Sequence, residues 1–118
     1  MKIEISSFSD VGNFSKERIG LKVLSDVDIG DYMVLCSAAS SKGGPVAGRK
    51  GAFWFPDGEI EAGDRVILYT KSGKTSKKDL SDGSKAHFYY WGLDSTVWGG
   101  TGNVAVLLLI SDWISKGK

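Results

Sequence analysis

Residues 18–24 read RIGLKVL, a run in which every second side chain is apolar. Ile19, Leu21 and Val23 fall on one side of an extended chain, because successive side chains of a strand point to opposite faces. The residues between them are basic residues or glycine. The run therefore predicts a strand that buries one face and exposes the other.

Six further runs have the composition of strands, and no segment sustains the period of a helix. Sixteen glycines separate them, together with turns such as Pro56-Asp57-Gly58. Seven strands, most with one polar face, predict two antiparallel sheets packed face to face, an all-β sandwich. The six runs cover residues 2–6, 32–38, 52–55, 65–70, 87–91 and 103–110.

The apolar positions of these runs predict the hydrophobic core. We expect one core and one domain over residues 1–118, because this length suits a single domain. An aspartate at Leu21 or Val106 is then expected to prevent folding. The predicted core residues are Ile3, Ile5, Ile19, Leu21, Val23, Val34, Cys36, Phe53, Phe55, Val66, Leu68, Val104, Val106 and Leu108.

The net charge of the chain does not indicate a particular class of binding partner. Fifteen basic and fourteen acidic residues leave a formal net charge of +1, so attraction to nucleic acid or to an anionic membrane requires a local patch. Cys36 is the only cysteine, which excludes an intrachain disulfide. No signal peptide or membrane span is recognisable, and we expect a cytoplasmic protein.

Two stretches carry a resemblance to a known family. They read FWFPDGEIEAGDRVILY at residues 53–69 and FYYWGLDSTVWGGTGNVAVL at residues 88–107. Together with RIGLKVLSDVDIGDYMVL at residues 18–35, they resemble the lamin tail domain. The resemblance implies an immunoglobulin-like β-sandwich. The shared motifs are structural, so the resemblance implies no particular activity.

The sequence offers no set of catalytic residues. His87 is the only histidine and has no nucleophile motif beside it, and one histidine with one cysteine makes a zinc site improbable. Four carboxylates between Asp57 and Asp64 lack the spacing of a calcium-binding loop. The run SGKT at residues 72–75 lacks the first glycine of a phosphate-binding loop. We therefore expect no enzyme activity, no cofactor and no metal ion.

A lysine-rich segment at residues 71–86 is the first candidate binding surface, and its composition predicts a long polar loop. Flexible lysines can neutralise phosphates without reading base sequence. The alternative is a solvated loop that protects a neighbouring edge strand from pairing with other chains. The candidate polyanion-binding residues are Lys71, Lys74, Lys77, Lys78 and Lys85.

Aromatic side chains form the second candidate surface. Exposed rings could stack a sugar, a base or a proline, whereas buried rings would fill the ends of the sandwich. The candidate residues of this surface are Trp54, Tyr89, Trp91 and Trp98.

These observations favour a non-catalytic interaction module. Such a module would present loops or a strand edge to a protein partner or to a second copy of itself. The alternatives are weak binding of nucleic acid or another polyanion through the lysine-rich segment, and carbohydrate binding through exposed aromatic rings.

Overall fold

Ten strands and one 3-10 helix of three residues (Ile29–Asp31) make up the regular structure of the described chain. The structure is a computed structural model that describes residues 1–38, 41–42, 51–99 and 102–118. The strands are β1 (Ile3–Ser9), β2 (Arg18–Val23), β3 (Val27–Asp28), β4 (Tyr32–Ala38), β5 (Gly51–Trp54), β6 (Glu59–Ile60), β7 (Arg65–Tyr69), β8 (Ser76–Asp79), β9 (Lys85–Tyr90) and β10 (Asn103–Leu109).

Two sheets form the sandwich that the alternating pattern predicts. One has five strands in the order β1-β2-β7-β9-β8, the other has three in the order β10-β4-β5, and β3 pairs with β6 in a small third sheet. Each of the seven predicted runs overlaps one strand, with bounds that differ by up to three residues. The additional strands β3, β6 and β8 have only two to four residues, too few to show a period.

One pairing departs from the expected antiparallel arrangement. β7 and β9 run parallel, with Val66 opposite His87 and Leu68 opposite Tyr89. The parallel pairing arises because β8 occupies the sheet edge, so that β9 returns between β8 and β7.

The core lies between the two larger sheets. The alternating residues Ile19 and Leu21 of β2 are completely buried, as predicted. They face residues such as Val34 of β4 in the same hydrophobic cluster. Phe55 and Tyr89 bring the two sheets together, with ring centroids 5.1 Å apart and planes at 82°. Ile5, Cys36 and Phe53 are partly buried against this cluster.

The predicted facing of β10 is wrong. Leu107 lies opposite the buried Val34 and packs against the core, whereas Val106 lies opposite Leu35 on the outer side. Ala105 joins Leu107 on the inner side, and Leu108 is 36% exposed. Every residue from 104 to 110 is apolar, so the sequence has no alternation that could identify the inner face.

Two buried carboxylates connect the loops to the sandwich. Glu17 is completely buried and joins the segment before β2 to residues near Val97. Asp64 accepts hydrogen bonds from the backbone N–H groups of Glu61 and Lys85, and it lies 2.9 Å from His87 Nε2. Asp64 thus holds the turn before β7 against the start of β9.

Candidate interaction surfaces

The four candidate aromatic residues do not form one exposed surface. Tyr89 and Trp98 are only 6% and 7% exposed, and Trp91 is partly buried against the core. Trp54 alone among the four is well exposed, at 44%. Three of the four rings therefore fill the interior, which corrects the hypothesis of a shared stacking platform.

Trp54 belongs to a different surface, the outer side of the three-stranded sheet. Its Nε1–H donates to the carbonyl oxygen of Gly30 at 2.7 Å, which fixes the indole orientation. The ring of Trp113 meets it edge to face, with centroids 5.2 Å apart. Residues 110–118 have no regular structure, and this contact holds them beside the sheet.

The lysine-rich segment is not one long loop. β8 lies within it and pairs with β9, so that Lys77 is opposite His87 and Lys78 is opposite Ala86. Neighbouring side chains of a strand point to opposite faces, so these two lysines serve different sides of the sheet. Lys85 lies opposite Asp79 in the same pairing.

Lys71 and Lys74 precede β8, and Lys71 is committed to another contact. Its Nζ lies 5.3 Å from the ring centroid of Tyr69. The structure therefore distributes the candidate lysines over separate parts of the β8–β9 hairpin and the segment before it. It does not gather all five into one patch.

The outer side of the three-stranded sheet has no charged side chain at the positions that the structure describes. Register with β4 identifies these outward positions on β5 and β10. We call this surface the apolar face. It consists of Met33, Leu35, Ala52, Trp54, Val104, Val106 and Leu108. Ser37 is in register with these residues but is buried, at 2% exposure.

Further apolar side chains surround the apolar face. Leu109 is 53% exposed, and Trp113 and Ile114 are 62% and 95% exposed. Isolated apolar residues are common on protein surfaces, but a contiguous apolar patch is typical of an interaction site.

The free edge of β10 lies along one side of the apolar face. β10 has seven residues, none of them charged, and its pairing with β4 has an unbroken register. Alternate residues of an edge strand direct their backbone N–H and C=O groups outward, where another strand can bind them.

The other free edges of the two larger sheets have protective features. β1 is interrupted by a register shift between Ile5 and Ser7. β8 is short and has lysines at positions 77 and 78, and β5 has only four residues. Bulges, charges and short length are the features that prevent unwanted strand pairing. Of these described edges, β10 is the one without such a feature.

A groove separates β10 from β1, which are edge strands of the two larger sheets. Its volume is about 380 Å³. Glu4 has the one charged side chain that lines it, beside Met1, residues Ile3 and Ile5 of β1, and residues 104–107 of β10. The groove makes the unprotected edge and part of the sandwich interior accessible from the same side.

The contacts of His87 and Cys36 are with structural partners. His87 contacts Asp64, and in the described ranges no hydroxyl or thiol bonds to its ring. Burial, together with the nearby charge of Glu17, raises the pKa of the Cys36 thiol, which favours the unreactive protonated form. Among the described residues no three His, Cys, Asp or Glu side chains are placed to hold a metal ion.

The β10 edge cannot be recognised as a candidate site from the sequence alone. The signal was present as an uncharged run at residues 103–110, but that run reads equally well as a buried central strand. No helix in the described ranges is long and apolar enough to cross a bilayer. Comparison of the chain with models of protein families gives no match, and comparison with curated proteins gives none either.

Proposed function

We propose that this domain is a non-catalytic interaction module that self-associates through the free edge of β10. The observation that carries the proposal is the contrast between β10 and the protected edges β1, β5 and β8. An unprotected edge is retained in a folded protein at the risk of aggregation, so its presence favours a defined pairing partner.

A second copy of the chain suits this edge. Antiparallel pairing of two β10 strands about a two-fold axis would place Val106, the central residue, beside its own copy. No like charges would meet, because β10 has no charged residue. The net charge of +1 also leaves little long-range repulsion between two copies.

The paired strands would join two apolar faces into one continuous surface. A seven-residue strand is about 23 Å long, and about half of its backbone groups point to the free edge. This contact is small beside the roughly 1,200–2,000 Å² of a stable complex. We therefore expect weak, reversible dimers with a dissociation constant on the order of micromolar.

The test is the molar mass in solution at increasing concentration, measured by sedimentation velocity or light scattering. We expect dimers to form between about 1 and 500 µM. Val106→Lys should abolish them, because two lysines would meet at the centre of the pair. Ala52→Lys is the matched control, since it places the same charge on β5 at the far side of the apolar face.

Two results would overturn self-association. One is a monomer at every concentration, and the other is an equal effect of the Val106 and Ala52 substitutions. The first result would leave the β10 edge available for an extended segment of a different protein, which is the other partner class that strand pairing allows.

The absence of catalytic function is part of the same proposal. It is supported by the burial of the His87 and Asp64 side chains, which are only 12% and 5% exposed, and by the raised pKa of Cys36. Carbohydrate binding through a platform of exposed rings has less support, since Tyr89 and Trp98 are buried. A reducing, cytoplasmic location is likewise proposed, supported by the single unpaired cysteine.

Membership of a lamin-tail-like, immunoglobulin-like family also remains a proposal. It is supported by the positions of the quoted motifs in the fold. The first motif begins in β5 and ends in β7, and the second begins in β9 and ends in β10.

A further inference from the structure

The outer side of the five-stranded sheet contains a shallow pocket centred on Gly20. Ser7 lies beside Gly20 on β1, and Ile67 lies beside it on β7. A Cβ atom added to Gly20 would lie only 2.7 Å from Ser7 Oγ. The missing side chain therefore lets the Ser7 hydroxyl lie close over β2, where it lines a pocket of about 140 Å³.

Hydroxyl and guanidinium groups surround this pocket. Ser7 and Ser9 line it from β1, and Arg18 and Arg65 line it from β2 and β7. The hydroxyls of Ser7 and Ser9 make no hydrogen bond to other described residues, whereas the hydroxyl of Ser6 donates to the Gly20 carbonyl oxygen at 3.0 Å. Arg65 makes no close ion pair with a described residue, although its charge, after the hydrogen bonds of Ser84, helps to lower the pKa of Asp82. Hydroxyl donors and a planar guanidinium fork are the groups that bind phosphate oxygens.

Acidic side chains near the pocket offset most of its positive charge, and this restricts the number of negative charges that a bound anion can carry. Arg18 Nη1 lies 2.7 Å from Asp10 Oδ2, so this cation is already neutralised. Glu4 lies opposite Lys22 on the same side of the sheet. The local excess of positive charge is therefore small, which suits one phosphate group better than a long polyanion.

The neighbouring aromatic rings exclude base stacking. Tyr69 and Tyr90 are stacked on each other, with centroids 5.2 Å apart and planes 9° from parallel. The guanidinium of Arg18 and the ammonium of Lys71 lie over Tyr69, and Gly73 packs against the ring of Tyr90. Neither ring has an open face for a nucleic acid base, so the platform used by single-strand binders is missing.

We propose that the pocket over Gly20 binds the phosphate group of a small phosphate ester. Arg65 would donate paired hydrogen bonds to two phosphate oxygens, and the hydroxyls of Ser7 and Ser9 would donate to the others. Ile67 and Phe88 lie side by side next to the pocket and are both half-buried. They would contact the organic part of the ester.

The first test is a ¹H–¹⁵N NMR titration with three probes: inorganic phosphate, a nucleoside monophosphate and the corresponding nucleoside. Saturable shifts of the Ser7, Gly20 and Ile67 amides are expected with the two phosphates and not with the nucleoside. Tighter binding of the monophosphate would identify an ester as the ligand, and equal binding would identify phosphate alone. Failure of both phosphates to shift these amides would overturn the proposal.

The second test uses variants on the same side of the sheet. Arg65→Gln should weaken phosphate binding roughly tenfold, because it removes a charged, two-pronged donor. Lys78→Gln is the matched control, because it removes one positive charge from the same side of the sheet, two strands away. Lys78 is opposite Ala86 on β9, and Ala86 is opposite Arg65 on β7. Equal losses in the two variants would show unspecific attraction and refute the site.

A third variant tests the shape of the pocket. Gly20→Ala places a methyl group where the Ser7 hydroxyl now lies, so it should displace that hydroxyl and diminish the phosphate shifts while both arginines remain. The melting temperature and the dispersion of the NMR spectrum establish that the variant is folded. Undiminished binding to folded Gly20→Ala would mean that the phosphate lies elsewhere.

Discussion

Glu17 shows how one buried residue can connect distant parts of this chain. Its carboxylate accepts hydrogen bonds from Thr70 Oγ1 at 2.5 Å, from the Val97 N–H at 2.9 Å and from the Gly12 N–H at 3.1 Å. These donors come from three separate segments. A buried charge is stable only when hydrogen bonds replace the lost water, and here they do so.

Replacing Glu17 with glutamine should destabilise the protein by about 2–4 kcal/mol. The amide has the same shape, but one acceptor oxygen becomes an NH₂ donor that faces the donors of the surrounding segments. Chemical denaturation measures the change in the free energy of unfolding. Ser15→Ala, at an exposed position in the same turn, is the control and should change stability little.

Acid should unfold the protein through the same buried groups. Burial raises the pKa of Glu17, but the hydrogen bonds from Thr70, Val97 and Gly12 outweigh it and hold the pKa below the ordinary value of 4.5. Burial likewise raises the pKa of Asp64, whereas its hydrogen bonds with His87, Glu61 and Lys85 bring the value below 3.8.

A lowered pKa in the folded state means that the unfolded chain binds protons first as the pH falls. The stability from these carboxylates is therefore complete above their unfolded pKa values and is lost as the pH falls through the folded ones. We expect the melting temperature to fall steadily from about pH 5 to about pH 2. Glu17→Gln should show a shallower fall, and parallel curves would exclude Glu17 as a contributor.

At the scale of the strands, substitutions in β10 test directly which of its side chains point toward the core. Leu107→Asp places a charge against the core and should cost about 3 kcal/mol or more, whereas the neighbouring Val106→Asp should leave a folded protein. Thermal melting followed by circular dichroism distinguishes the two. An unfolded Val106→Asp with a stable Leu107→Asp would show that the strand faces the other way.

Strand identity could be read from the sequence where polar and apolar residues alternate. Ile19 and Leu21 were assigned correctly to the core because Gly20 and Lys22 mark the other face. The inner face of β10 could not be assigned, because its pairing with β4 and not its composition determines which side is buried. The sequence of β8 predicts a loop, because Lys77 and Lys78 give it no apolar face.

The candidate sites were less predictable than the strands. A free edge becomes visible only when the sheet order is known, since an uncharged run such as residues 103–110 also suits a sheet centre. The pocket over Gly20 requires the register that brings Ser7 and Arg65 around one glycine. Burial of Tyr89 and Trp98 likewise depends on which sheet covers them.

At the scale of the molecule, the two outer sides of the sandwich differ in chemistry. The apolar face on the three-stranded sheet has no charged residue at its described positions. The opposite side displays charged residues such as Lys22, Arg65 and Lys78, with hydroxyl groups from β1. The two proposed contacts, with a second copy and with a phosphate, therefore lie on different sheets and can operate independently.

This separation predicts how salt affects each contact. Dimerisation through β10 buries no ion pair, so its dissociation constant should change less than about threefold between 50 and 500 mM sodium chloride. Sedimentation equilibrium at several salt concentrations measures the constant. Loss of the dimer at high salt would contradict an apolar contact and indicate charged residues at the interface.

The position of β9 also determines the order in which the five-stranded sheet can assemble. β8 lies at the edge of the described sheet and pairs with β9, through a tight turn in which the Gly83 N–H donates to the carbonyl oxygen of Leu80. The two strands can therefore pair early, because their contacting residues are close in sequence. The parallel pairing of β9 with β7 must instead close the longer connection that contains β8, which costs more chain entropy. The hairpin is thus expected to reach β7 as a preformed unit, which makes its docking a late step in folding.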